Sequence, residues 1–461
     1  MSAAKAKDDQ QNWTLKGSSW EGAWKVFAGI GVLGLAGAGA GYTMDQRRFA
    51  FSWLFAFITV LTITLGALFF VLVQRLTSAG WSVTVRRTAE YFSLGVIPLA
   101  VLFVPVLLTT NHLFPWFGGE HHGAENAAPA HHGSIELVKP AHAQEHAAPP
   151  PVAEGHAAKP ADAHDAHGAH GPAGDPHEVI EKEILKSKEP YLNPQFFYIR
   201  VFVYFAVWIF LATRLFKLSQ DQDKSKDPKL TLKAQALAPA GTFLYGITLT
   251  FAAFDWIMSL EPTWFSTIFG VIIFACGVVS SYAVLILVTL ALRSAGPLKG
   301  AVTIEHYHDL GKLQFGFLVF WAYVQFSQFM LIWYAALPEE TTFFHNRWDY
   351  EPWKNVSLAI LGVHFVIPFF WTISRNFKRN TDRLRIGSAI ILVMHVVDMY
   401  WYVMPNYLLG KDGFSFHWLD AACLLAVAGV WGAFVFNRMT QHSMVPVGDP
   451  RLQRALEFQN A

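Results

Sequence analysis

The chain is short of charge and almost without cysteine. Only 15% of its 461 residues are Asp, Glu, Lys or Arg, and the formal net charge is +1, where a soluble domain carries about 25% charge. A near-neutral chain with no basic cluster interleaved with aromatics excludes nucleic acid as a partner. The two cysteines, Cys276 and Cys423, each sit inside an apolar run, with no CxxC, CxxCH or paired Cys/His spacing. That excludes an iron–sulfur cluster or c-type haem held by this chain alone. Both thiols read as small apolar core groups. The first twenty residues are polar and are not followed by a short apolar core with a small-residue cleavage site. The first hydrophobic run is therefore read as a retained span, not a removable signal.

What the chain has is apolar length: 53% hydrophobic residues, including 39 Phe, 17 Trp and 14 Tyr. A span needs about 20 apolar residues to cross roughly 30 Å of hydrocarbon. Runs of that kind lie near 24–43, 50–75, 89–110, 196–215, 239–260, 264–292, 311–336, 353–373, 385–408 and 417–437. The expected fold is an all-α integral membrane protein of ten transmembrane helices. Segment 1–23 precedes the spans, 24–110 holds three of them, 111–195 is a long loop, 196–437 holds seven, and 438–461 is a tail. The fifth and sixth runs are parted only by Glu261-Pro262-Thr263, which predicts a tight helical hairpin. Gly29, Leu33, Gly37 and Gly41 recur every four residues in the first run, a stripe expected to admit a neighbouring helix closely.

An even count puts both termini on one side, and basic residues say which. Arg75, Arg86, Arg87, Arg214, Lys217, Lys224, Lys226, Lys229, Lys233, Arg293, Lys299, Arg375, Lys378, Arg379, Arg383 and Arg385 fall on the terminal side; Arg47, Arg48, Arg347, Lys354 and Lys411 fall opposite. The terminal side is thus expected to be cytoplasmic. Residues 119–178 lie in the external loop, are rich in Ala, Pro and Gly, and hold 11 of the 19 histidines. Such composition predicts disorder. It gives at most a weak metal-binding possibility at His121, His122, His131 and His132, and otherwise reads as a drifted low-complexity loop.

Ionisable groups within spans are costly and therefore candidates for function. His364 lies eleven residues into the eighth run, His395 ten residues into the ninth, and Asp398 one turn further. All three are expected near the midplane. Asp255 lies nearer the outer end of the fifth run with Glu261 at its rim, Asp420 just inside the tenth, and Gln325 and Gln328 at mid-depth of the seventh. EHYHDLGK (305–312) places His306 and Asp309 at the cytoplasmic start of that run. Histidine titrates near neutrality and both donates and accepts, so these ten residues form a candidate proton path. The competing reading is polar glue: His395 and Asp398, three apart on one helix, bonded to each other and pinning helices together. A bis-histidine b-type haem on His364 and His395 is a further alternative. No set of catalytic residues can be read from the sequence.

Three stretches carry a resemblance: DWIMSLEPTWFSTIFGVIIFACG (255–277), HDLGKLQFGFLVFWAYVQFSQFMLIWYAALPEET (308–341) and VPVGDPRLQRALEFQN (445–460). They closely resemble the second polysulfide-reductase-type (NrfD-like) membrane subunit of Alternative Complex III, the bacterial quinol:cytochrome c oxidoreductase. The likeness covers roughly 190–460 well and the first three spans more loosely; the histidine-rich segment is outside the pattern. The resemblance implies an inner-membrane subunit of two four-helix bundles plus two further helices, with no cofactor of its own. Quinol would bind at the level of the complex, in a paralogous NrfD-like subunit. Haem c and iron–sulfur clusters would belong to partners: an external iron–sulfur subunit and pentahaem and monohaem cytochromes c, feeding a soluble carrier or a terminal oxidase. It also implies a proton path beside the quinol-oxidising paralogue. Two other classes compete: a secondary transporter, which the unmatched positions of Pro98, Pro105, Pro368 and Pro405 do not favour, and a purely structural membrane anchor.

Overall fold

The computed structural model describes residues 13–117, 183–407 and 416–460. Ten helices among them are long and apolar enough to cross a membrane: α1 (Ala23–Met44), α2 (Gln46–Leu76), α3 (Val83–Leu108), α4 (Pro194–Ser225), α5 (Lys229–Leu260), α6 (Phe269–Ser294), α7 (Ile304–Ala335), α8 (Glu351–Thr372), α9 (Thr381–Asn406) and α10 (Trp418–Gln441). Every regular element among the described residues is helical. This is the architecture of a multi-pass membrane protein, and the ten helices coincide with the ten apolar runs. The histidine-rich segment, with His121, His122, His131 and His132, lies outside the described residues, while 183–188 beside it are helical.

Local sequence explains where the helices begin and stop. Asp45 accepts the Arg48 N–H at 2.8 Å and starts α2. Asn193 accepts the Phe196 N–H at 2.9 Å before Pro194 opens α4, and Asn380 accepts two N–H groups at 3.1 Å to start α9. Each of these caps supplies an acceptor that the first helical turn lacks. The predicted hairpin after α5 is wider than expected. The chain leaves helix at Leu260 and α6 begins only at Phe269. Pro262 cannot donate a backbone N–H, and the Lys188 ammonium holds its carbonyl at 2.6 Å.

Helix α2 is the hub: it packs against α1, α3, α5, α6, α9 and α10, and its most apolar window is 89% buried. Helices α2–α5 touch in one group and α6–α9 in another, with α6 bridging to α2 and α5. Gly66 and Gly277 mark the α2–α6 crossing: a Cβ on Gly277 would stand 2.7 Å from the Thr62 carbonyl oxygen. Helix α1 lies along α10. The contacting stripe is Gly31, Gly34, Ala38 and Gly41, with Gly37 at its edge beside Ala422. It is not the four-residue series read from sequence: Gly29 faces open space and Leu33 is 74% exposed. A straight helix repeats every 3.6 residues, so a strict step of four drifts off the contact face.

At Gly34 an added Cβ would enter the Ala426 backbone. Gly34→Leu is therefore expected to separate α1 from α10 and lower stability by about 2–3 kcal/mol, the cost of overpacking. Gly29→Leu should be neutral. Unfolding of both variants by SDS titration in mixed micelles checks this, and equal midpoints would contradict the packing.

Candidate functional site

The functional candidates separate into groups held one by one in ion pairs, caps or single hydrogen bonds, and one cluster of converging polar side chains. Asp255 belongs to the first kind. It is fully buried, and Arg200 grips it with Nε at 2.7 Å and Nη2 at 2.9 Å while the Tyr204 hydroxyl donates at 2.7 Å. Arg200 also donates to the Tyr191 carbonyl at 2.9 Å. Asp255, a proton-path candidate, is thus not a lone acid in its span: a guanidinium answers its charge. Arg200 stands in FYIRVF (197–202), and an arginine inside an apolar helix was the overlooked signal.

Asp420 is saturated likewise. Arg48 and Ser52 of α2 bind it, the Ser52 hydroxyl at 2.5 Å, with the Tyr400 hydroxyl at 3.3 Å and the His417 N–H at 3.0 Å. Glu261 is held by Arg347 at 3.0 Å. That arginine, read as an external loop cation, is in fact buried and also donates to the Phe343 and Trp401 carbonyls at 2.7 and 3.1 Å. His306 is buried in the α7 capping box, its Nδ1 accepting the Thr303 N–H at 3.1 Å while its Nε2 has no hydrogen-bond partner among the described residues. Asp309 pairs with Lys312 at 2.5 Å. Gln328 accepts from Ser266 at 3.0 Å.

The second kind is built where α6, α7, α8 and α9 meet. His364 sits in a π-helical stretch, Ile360–Val366, that interrupts α8, and the Ile367 N–H reaches back five residues to Gly362. Pro368 explains the interruption, since it has no N–H for the His364 carbonyl four residues earlier. Single π turns of this kind recur at functional sites. The turn brings His364 Nδ1 to 2.9 Å from Asp398 Oδ2 on α9, both side chains 1% exposed. Trp321 of α7 covers the imidazole, ring centroids 4.2 Å apart, and donates through Nε1 to Cys276 Sγ of α6 at 3.1 Å. The Cys276 thiol in turn points at Asp398 Oδ2, 4.0 Å away. One turn further along α9, the Tyr402 hydroxyl accepts from Gln325 at 2.5 Å, and Arg347 donates to the Tyr402 carbonyl at 3.3 Å.

His395 is fully buried but turns toward α2. Its Nε2 lies 3.0 Å from Thr62 Oγ1 and 3.3 Å from the Thr59 carbonyl oxygen. The Thr62 hydroxyl already donates to Ile58, so both neighbours accept and the His395 proton resides on Nε2. The His395–Asp398 self-pairing considered as polar glue does not occur: Asp398 is taken by His364. Nor do His364 and His395 turn to a common point, since one faces Asp398 and Trp321 and the other the α2 backbone.

The cluster places three open polar atoms on neighbouring helices. His364 Nε2, His395 Nδ1 and Asp398 Oδ1 are buried polar atoms without a hydrogen-bond partner among the described residues. Each unmatched atom costs roughly 1–3 kcal/mol, so a group of three asks for a compensating role. Sequence reading placed His364, His395 and Asp398 together in depth but missed Cys276, Trp321 and Tyr402, which look like ordinary core residues until their polar atoms converge. Among the described residues no group of His, Cys, Asp and Glu is arranged to hold a metal ion. Compared with known proteins, the chain matches no family model and no curated sequence.

Proposed function

We propose that this chain is a membrane subunit of a quinol-oxidising respiratory complex, of the second NrfD-like type of Alternative Complex III, and that His364 and Asp398 handle protons within it. The observation that carries the reading is the buried His364–Asp398 pair, set on a π turn and retaining unpartnered polar atoms. An imidazole in contact with a carboxyl group, both removed from water, can pass a proton between the two without leaving an isolated charge. The sequence motifs supply the complex; the grouping of α2–α5 and α6–α9 suits two four-helix bundles flanked by α1 and α10, with both termini cytoplasmic. On this reading quinol chemistry, iron–sulfur clusters and haems reside in the partner subunits, and Glu261, Gln325 and Arg347 lie on the outward side of the pair.

The test is Asp398→Asn in the intact complex. Quinol:cytochrome c turnover should fall about a hundredfold, the lower range for a lost proton-transfer group, or the protons released per electron should drop, while cytochromes still co-purify. Unchanged turnover and stoichiometry would overturn the proton role. Purification without any c-type cytochrome would overturn the complex. The interrupted α8 also favours a secondary transporter, because such helices are broken at mid-membrane. In that case Asp398→Asn abolishes solute-coupled proton uptake in vesicles of the purified chain.

A further inference from the structure

Where α7, α8 and α9 end on the terminal side, we propose a binding site for an anionic phospholipid, headgroup among Lys312, Arg375 and Lys378 and one acyl chain between α7 and α8. This rests on the membrane-spanning architecture and not on the respiratory reading.

The headgroup end has a surplus of positive charge. Six cations gather there: Lys312, Arg375, Lys378, Arg379, Arg383 and Arg385. Three carboxylates answer them. Asp309 takes Lys312, Glu305 takes Arg379, and Asp382 takes Arg385. Arg375 is exposed and has no acidic partner among the described residues, Arg383 rests on the Phe377 ring at 4.5 Å, and the Lys378 ammonium reaches the Ile373 carbonyl at 3.1 Å. His308 stands among Lys312, Arg379 and Arg375 and keeps a buried, unpartnered Nδ1. Basic pockets between helices at this level of a bilayer recognise phosphate headgroups, about 1 kcal/mol for each nearby cation.

Directly inward, the surface turns apolar. Phe315 of α7 packs on Phe369 of α8 with centroids 5.5 Å apart, and the Lys378 ammonium lies 5.0 Å from the Phe315 ring. Gly316 beside them opens onto free space, while Phe370 and Ile373 are exposed. An apolar face of aromatic and aliphatic side chains, topped by six cations against three carboxylates with Arg375 unpaired among the described residues, fits a diacyl lipid with a negative headgroup. A soluble anion would use only the top.

The test measures binding of brominated cardiolipin and phosphatidylglycerol to the full chain in phosphatidylcholine nanodiscs, by tryptophan quenching. Both anionic lipids should compete effectively with phosphatidylcholine. Lys312→Gln with Arg375→Gln, both exposed, should weaken them about tenfold or more, from two lost cations. Lys233→Gln, an exposed cation on α5, should change nothing. Gly316→Trp, which projects a bulky ring from the apolar face where an acyl chain would lie, should weaken binding of diacyl lipid but not of inorganic phosphate. Equal binding by the double variant and the unmodified chain overturns the proposal. So does thermal protection by inorganic phosphate that matches the lipids at equal concentration, which would reassign the site to a free anion.

Discussion

Asp255→Ala should destabilise the chain by about 3–5 kcal/mol, the cost of removing one partner from a buried ion pair. The substitution strands the Arg200 guanidinium, whose side chain is 8% exposed, with one carbonyl and two aromatic faces, Tyr191 at 4.0 Å and Phe196 at 4.4 Å. Those rings favour a cation but cannot neutralise it. Asp255→Asn should cost less, since the amide oxygen still accepts one N–H and the Tyr204 hydroxyl can rotate. Arg200→Leu combined with Asp255→Leu should recover most of the loss, because two apolar groups in place of a buried pair are close to neutral. The midpoint of SDS unfolding in mixed micelles, read as a double-mutant cycle, gives the coupling. Additive effects would mean that the pair does not act as a unit. Asp255→Asn that leaves the unfolding midpoint unchanged but abolishes proton coupling would return Asp255 to the proton path.

The difference between Asp255 and Asp398 shows what the sequence could reveal. Helix number and extent were legible because each span must satisfy its backbone internally and be apolar for about 20 residues, a signal that needs no tertiary contact. Position along a helix was legible too, since rise per residue is fixed, and the expected common level of His364 and Asp398 agrees with their contact. Direction around the helix was not. His395 and Asp398 are three residues apart, only about 60° round a helix of 3.6 residues per turn, yet one engages α2 and the other α8, a divergence that spacing alone does not give. The π turn at Ile360–Val366 rotates His364 further, and no periodicity argument contains it. Partners across helices were equally hidden. Arg200, Arg48 and Arg347 read as a helix residue and two loop cations, yet each closes an ion pair with an acid more than fifty positions away.

Glu90→Gln should be the most damaging single change, because one carboxylate holds three guanidiniums. Glu90 Oε1 lies 3.2 Å from Arg75 and 3.4 Å from Arg86, and Oε2 lies 3.2 Å from Arg87, every one of these side chains at most 1% exposed. Asp449 of the tail adds Arg86 at 2.6 Å and Arg451 at 3.4 Å, and Asp223 takes Arg87 at 2.7 Å. Four arginines against three carboxylates already leave one positive charge, so a neutral amide in place of the Glu90 carboxylate leaves two among mutually repelling groups. A loss at or above the upper end of about 3–5 kcal/mol follows, and the protein should fail to accumulate in membranes. Glu90→Asp should be intermediate, since the charge remains but the reach shortens. Asp449→Asn should instead release the tail selectively, exposing Arg451 and Arg454 to trypsin. Burial opposes the charged Asp449 carboxylate, but Arg86 and the Arg451 backbone N–H outweigh it and hold the carboxyl at about 2, below its ordinary 3.8. A depressed carboxylate stabilises fully above its unfolded value and loses that contribution as pH falls through the folded one. The tail should therefore resist proteolysis unchanged from neutrality down to about pH 4 and loosen only as pH falls toward 2. Release of the tail between pH 7 and 5, followed by hydrogen exchange at residues 443–460, would show that a histidine, and not Asp449, fastens it.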